Sequence, residues 1–259
     1  MKKLGLLFIL AAAVIASVIF TRFKSTQEPF TLEWRKITLQ SYDEMKPTFE
    51  LLQTIFVEAF LPLIKPDVYK YDARFANIPA DKKSVVDQKI IEGITKSLQS
   101  AWFKKMDKLH AYLQDKHLPA AYLAIAKDSQ NKALGFSLFM EEPIKDNIGS
   151  RILNITQGSL ERISQDHQVN DEVYVSLLSV DPGIQKKGVG KALLFSVLDH
   201  CPHIKTMYLT TSAGDSNKNT QAFYEHVGFT RILTGIFTSS GEESDYEQAG
   251  KIVYLYKRP

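Results

Sequence analysis

The chain is nearly devoid of cysteine. Cys201 is the single one among 259 residues, so an intramolecular disulfide and a cysteine-based metal site are both excluded. It follows an apolar helical run from Leu193 to Leu198 and reads as a buried, inert thiol. An excess of one charge is also missing. Against 32 Lys and Arg stand 29 Asp and Glu, a formal charge of +3, and no block of five or more basic residues occurs. Nucleic-acid binding needs a concentrated basic face, and that partner is excluded. The six histidines are scattered, and His200 and His203 straddle Pro202, which disfavours a metal pair. Repeats and low-complexity tracts are absent. A composition of 44% hydrophobic and 24% charged residues excludes a disordered chain.

What is present begins with one long apolar run. Leu4 to Phe20 is seventeen residues without a charge, preceded by Lys2 and Lys3 and followed by Arg22 and Lys24. At about 1.5 Å per residue such a helix just reaches across a bilayer core. Two readings stay open. A cleaved secretory signal has a cleavage candidate at Val14-Ile15-Ala16. An uncleaved anchor is favoured by the length of the run and the basic residues after it. The flanking charges do not settle orientation. Residues 1–27 are therefore expected to be a signal or anchor plus linker, leaving 28–259 as the working domain, membrane-anchored or exported.

Periodicity supplies the elements of that domain. Thr31 to Leu39 alternates as a first strand. A helical stripe follows from about Ser41 to Leu63, with Phe49, Leu52, Ile55, Phe56, Ala59 and Phe60, and Pro62 and Pro66 are expected to end it. A second helix from about Ala80 to Gln114 carries Val86, Ile90, Ile94, Leu98, Trp102, Met106 and Leu109. Residues 64–118 are expected to form a helical insert or lid. Ala120 to Ala126 and Ala133 to Met140 read as an antiparallel hairpin. Residues 143–170 are polar and ambiguous. Val173 to Val180 is apolar at nearly every position, hence a strand buried on both faces. A helix then runs to about His200, a strand spans Lys205 to Thr211, and a helix runs from Asn217 to His226, closed by Gly228. Strands at 229–238 and 251–256 finish the chain. The fold class is α/β, or mixed α+β, with helices interleaved into a mixed sheet.

The residues that carry chemistry lie after the buried strand. Asp181-Pro182-Gly183 stops it, because proline cannot donate to the ladder. In Gln185-Lys186-Lys187-Gly188-Val189-Gly190-Lys191, the two glycines let a diphosphate approach the backbone. The helix that starts there offers unpaired N–H groups and about half a positive charge, and the lysines add their own. No P-loop is present, and no third glycine completes a dinucleotide fingerprint.

Gln185-Lys186-Lys187-Gly188-Val189-Gly190 resembles the Q/R-x-x-G-x-G/A motif of the GNAT family of N-acetyltransferases. Leu178-Ser179-Val180-Asp181-Pro182 is similar to that family's fourth strand. Downstream, Asn217 to Phe229 resembles its final helix signature, N-x-x-x-x-x-x-Y-x-x-x-G-F. The resemblance covers 119–257 well and 31–63 weakly. Residues 64–118, 143–170 and the N-terminal run depart from the minimal pattern. The resemblance implies a mixed, largely antiparallel sheet flanked by helices, with the fourth and fifth strands splayed. It implies acetyl-CoA as acyl donor. Leu178 and Val180 would pair with the pantetheine arm, and the loop from Gln185 through Lys186, Lys187, Gly188, Val189 and Gly190 to Lys191 would hold the pyrophosphate. Asn217 would lie near the cofactor, and Tyr224 would be general acid to the leaving thiolate. The acceptor would be a primary amine on a small molecule, peptide or protein. It must be neutral to attack, and Glu172, Glu141 and Glu142 are candidate bases. Two other readings stand beside this one: a catalytically silent CoA-binding or partner-binding module, and an exported protein whose loop never meets the cofactor.

Overall fold

The computed structural model describes residues 30–71, 82–115, 120–144, 147, 152–153, 171–237 and 250–259. The expected N-terminal signal or anchor and most of 143–170 lie outside them. An eight-stranded sheet runs in the order β1-β2-β3-β5-β6-β8-β7-β4. The strands are β1 Thr31–Ile37, β2 Ala121–Lys127, β3 Ala133–Met140, β4 Ile152–Leu153, β5 Glu172–Val180, β6 Thr206–Ser212, β7 Thr230–Phe237 and β8 Lys251–Lys257. Every pairing is antiparallel except β5 with β6. The helices are α1 Leu39–Glu44, α2 Lys46–Tyr71, α3 Lys83–Gln114, α4 Val189–His200 and α5 Lys218–His226. The mixed, largely antiparallel sheet expected from the resemblance is the observed one.

Each face of the sheet has its own core. On one, α4 and α5 pack Leu193, Leu194, Val197 and Tyr224 against Val173, Val175, Met207 and Leu209. On the other, α2 and α3 bury Leu52, Phe56, Ile94, Leu98 and Trp102 against Leu123, Ile125, Phe136, Leu138 and Leu177. The stripe read from the sequence of α3 is buried from Ile90 to Leu109, with Tyr112 added at its end, while Val86 is half-buried. Segment 64–118, expected as an insert or lid, contributes the end of α2 and all of α3, which share that core.

One boundary needs correction. Pro62 and Pro66 do not end the second helix; α2 continues through both to Tyr71. Each proline removes a helical hydrogen bond, a penalty of about 3 kcal/mol in an isolated helix. Both are exposed and sit four apart on the solvent side, where water reaches the freed carbonyls. Meanwhile Phe60, Leu61, Ile64 and Val68 keep the opposite side against the core. Tertiary packing outweighs local propensity here. The short start is set by Thr38, which caps α1 in a reciprocal box with Ser41.

Candidate active site

The site grows from a fork in the sheet. β5 and β6 pair only at Glu172–Thr206, Val173–Met207 and Tyr174–Tyr208. Beyond this, β5 stays paired with β3 as far as Val180–Gly135, and β6 stays paired with β8 as far as Ser212–Lys251. The two strands therefore diverge, and the inner edge of β5 from Val175 to Val180 faces a gap. Leu178 and Val180 are half-buried on that stretch. The floor of the gap is aromatic: the Tyr174 and Tyr208 rings stack 5.1 Å apart. The Tyr174 hydroxyl lies 3.3 Å from Thr210 Oγ1, and the Tyr208 hydroxyl donates to the Glu142 carbonyl at 2.7 Å.

At the open end stands the glycine loop. Asp181 accepts from the Gly183 amide at 2.8 Å, and the Gln185 side chain donates to the Val180 carbonyl at 3.3 Å, so both tie the turn together. Lys186 and Gly188 have φ of 65° and 85°, left-handed values that glycine adopts freely and lysine rarely. Such alternation turns successive amides toward a common concavity. The first backbone bond of α4 runs from Ala192 to the Gly188 carbonyl, so the amides of Val189, Gly190 and Lys191 have no helical acceptor. Val189 is 3% exposed, so its side chain anchors the helix and only its amide serves the loop. Gln185, Lys186 and Lys191 are exposed and Lys187 is half-buried. A Cβ added at Gly190 would lie 3.5 Å from both Val180 and Phe223, which brings the top of β5, the start of α4 and α5 together. This set of amides, left-handed turns and unpaired strand edge fits an acyl-CoA: a diphosphate at the loop and an amide-bearing arm along β5.

Asn217 occupies the N-cap position of α5 but does not cap it with its side chain. Its amide reaches back to Thr211 Oγ1 and to the Ser212 carbonyl, the latter at 3.0 Å. Gln221, one turn on, donates to the same carbonyl at 3.0 Å and to that of Gly214 at 3.3 Å. Together they hold the end of β6 turned away from β5. Tyr224 is 8% exposed and lies among Phe223, Phe229 and Tyr254. Burial, reinforced by the neighbouring Tyr174 and Tyr254, holds its phenol well above the ordinary tyrosine range. It stays protonated at neutral pH and is able to donate.

Glu172 and Tyr224 lie at different side-chain clusters. Glu172 lies at the closed end of the fork, where its buried carboxylate accepts from the Ile144 amide at 2.7 Å. Ile144 packs with Tyr174 and Tyr208, whereas Tyr224 belongs to the core of the opposite face. Glu141 is buried too, accepting from the Tyr122 hydroxyl at 2.6 Å and lying 3.0 Å from His203 Nε2. His200 stacks on Trp34 at 4.6 Å. Cys201 is buried, as expected, and burial raises its thiol pKa. Sequence reasoning missed Tyr174, Tyr208, Thr210 and Gln221. Tyr174 and Tyr208 are the aromatic residues of their strands, and Gln221 follows Asn217 by one helical turn; those were the available signals.

Residues 89–229 match the model of the acetyltransferase (GNAT) family, more than half of the chain and all of the fork, loop and Tyr224 helix. The [ribosomal protein bS18]-alanine N-acetyltransferase of Escherichia coli K12 is 33% identical over 122 residues, 45% of this chain and 77% of that one. Among solved structures, the PaiA N-acetyltransferase of Thermoplasma acidophilum in complex with coenzyme A is 14% identical, with 88% of this chain and 99% of that one covered and a TM-score of 0.42. The E. coli ribosomal-protein-S18-alanine N-acetyltransferase structure is 16% identical, with 59% and 76% covered and a TM-score of 0.36. With its diverging strands and glycine loop inside the matched region, the chain belongs to the GNAT family of N-acetyltransferases, enzymes whose acyl donor is acetyl-CoA.

Proposed function

We propose that the chain moves an acetyl group from acetyl-CoA to a primary amine by direct attack, with Tyr224 as general acid. The observation that carries this reading is the fork above Tyr174 and Tyr208, with the Gly188 loop at its mouth and a protonated, buried Tyr224 beside it. The loop amides from Gln185 to Lys191 bind the diphosphate. The edge of β5 at Leu178 and Val180 orients the arm. Asn217 keeps the gap open by pinning β6. Acetyl-CoA supplies the activated carbonyl. The amine nitrogen bonds to that carbon as the carbon–sulfur bond breaks, Tyr224 hands its proton to the departing sulfur, and the amine proton passes to a base. Glu172 at the floor is one acceptor for it.

A relative named for acetylating an alanine of a ribosomal protein makes a peptide with an N-terminal alanine the first acceptor to assay. Thiol release from acetyl-CoA with this peptide, and with a panel of small amines, tests the reading. Calorimetry showing no acetyl-CoA binding at millimolar ligand refutes it. The N-terminal run Leu4 to Phe20 favours a second element, attachment to or passage through a membrane. Protease access to a C-terminal tag in intact cells decides the side: protection keeps the domain with cytosolic acetyl-CoA, and cleavage favours a silent, exported module.

A further inference from the structure

Resting on that function, the geometry points to Lys105, on α3, as a positioning residue for acetyl transfer that acts through the backbone of β5. In the β3–β5 register Leu138 faces Leu177 and Phe139 faces Val175, which leaves Ser176 as an extra residue, a β-bulge. Ser176 lies just above Tyr174, in the stretch that β6 has already left. A bulge on a strand with one free edge is soft, because its extra carbonyl has lost its ladder partner. Here side chains fix two successive carbonyls. Lys105 Nζ donates to the Ser176 carbonyl at 3.2 Å, and Ser137 Oγ donates to the Leu177 carbonyl at 3.0 Å. The peptide planes on both sides of Leu177 are thereby set, and with them the course of β5 where it borders the gap.

A neutral donor would satisfy the carbonyl. An ammonium does more. Its hydrogen bond is charge-assisted and holds the bulge carbonyl more firmly than a neutral donor would. It also places a positive charge behind the strand edge along which the donor carbonyl gathers negative charge as the amine attacks. That charge acts on the transition state and leaves the diphosphate contacts, a strand's length away, untouched. The signature is a fall in turnover without a matching loss of donor affinity.

The test uses the full-length protein, acetyl-CoA and the alanine-initiated peptide. Lys105→Met is expected to lower kcat roughly tenfold to a hundredfold, the range for small misplacement of reacting groups. KM for acetyl-CoA stays within about twofold, since the pull on the thioester carbonyl is weak before attack and strengthens as charge gathers on its oxygen. Lys105→Arg, which keeps charge and reach, restores most of the rate. The carbonyl stretch of bound, carbon-13-labelled acetyl-CoA moves toward its free position in Lys105→Met and returns in Lys105→Arg. An unchanged kcat in Lys105→Met overturns the inference. So does a loss shared equally by kcat, KM and melting temperature that arginine does not rescue, the mark of a mere brace. Wild-type protein that binds no acetyl-CoA sinks the function itself, whereas turnover by wild type beside an unaffected Lys105→Met sinks this inference alone.

Discussion

Tyr174 and Tyr208 are the last residues at which β5 and β6 pair, and their stacked rings, 5.1 Å apart, close the fork from below. Tyr208 is fully buried and its hydroxyl holds the Glu142 carbonyl. Tyr208→Phe keeps the stacking but removes the hydroxyl that holds that carbonyl. A loss of about 1–3 kcal/mol in denaturant unfolding is expected. No loss would mean that water or a shift of Glu142 replaces the bond.

Tyr224→Phe removes one oxygen from an aromatic site that stays filled. Folding and acetyl-CoA affinity should be retained while kcat falls about a hundredfold or more, the usual span for general acid catalysis. Steady-state kinetics alongside calorimetry separates the two. A variant with normal kcat removes Tyr224 from the chemistry.

Gly135 tests the wall of the gap. It pairs with Val180, and a Cβ there would sit 2.7 Å from the Ser179 carbonyl oxygen and 3.1 Å from Val180 Cα, both backbone. Gly135→Ala must push the upper end of β5. A loss of about 1–3 kcal/mol, the range for overpacking, and weaker acetyl-CoA binding are expected together. Thermal melting and calorimetry check both.

Several buried tyrosines set the alkaline limit. Tyr112, Tyr122, Tyr208 and Tyr224 have phenols held well above their ordinary range, chiefly by burial, and Tyr254 is pushed up to about 12 by burial and then by its bond to Glu225. A raised pKa in the fold means that the unfolded chain loses these protons first. Their contribution is complete below the unfolded value near 10 and is lost as pH climbs through the folded ones. Stability should therefore decline above about pH 10. Ultraviolet absorbance should show phenolate appearing together with unfolding rather than before it.

Glu172→Gln separates anchoring from proton transfer. The carboxamide oxygen still accepts from Ile144, so the fold should survive, whereas Glu172→Ala should cost about 1–3 kcal/mol. Activity near wild type in Glu172→Gln makes the residue an anchor. Loss of the acidic limb of the pH–rate profile gives it the proton.

The loop and the Tyr224 helix were legible because glycine, proline and asparagine constrain backbone locally, and such constraints are written in adjacent residues. The α3 stripe was legible because its period of burial is that of the helix. The fork was not legible from periodicity: Val173 to Val180 reads as one buried strand, and where its partner leaves it depends on Asn217 and Gln221 pinning β6 from another element. The passage of α2 through Pro62 and Pro66 was hidden for the same reason, since its cause is the core beneath Phe60 and Ile64. Lys105 is seventy-one positions from Ser176, and no local signal joins them.

The two cores on opposite faces of the sheet have a consequence for how such an enzyme can change. Side chains on α2 and α3 touch one, and those on α4 and α5 touch the other, so substitutions in the two sets should combine nearly independently. Substitutions in the α2–α3 layer should therefore leave acetyl-CoA binding at the Gly188 loop unchanged. Lys105 couples the two: it reaches from α3 to the backbone of the strand that both halves share, and a redesign that discards it would inherit the clamp without its alignment.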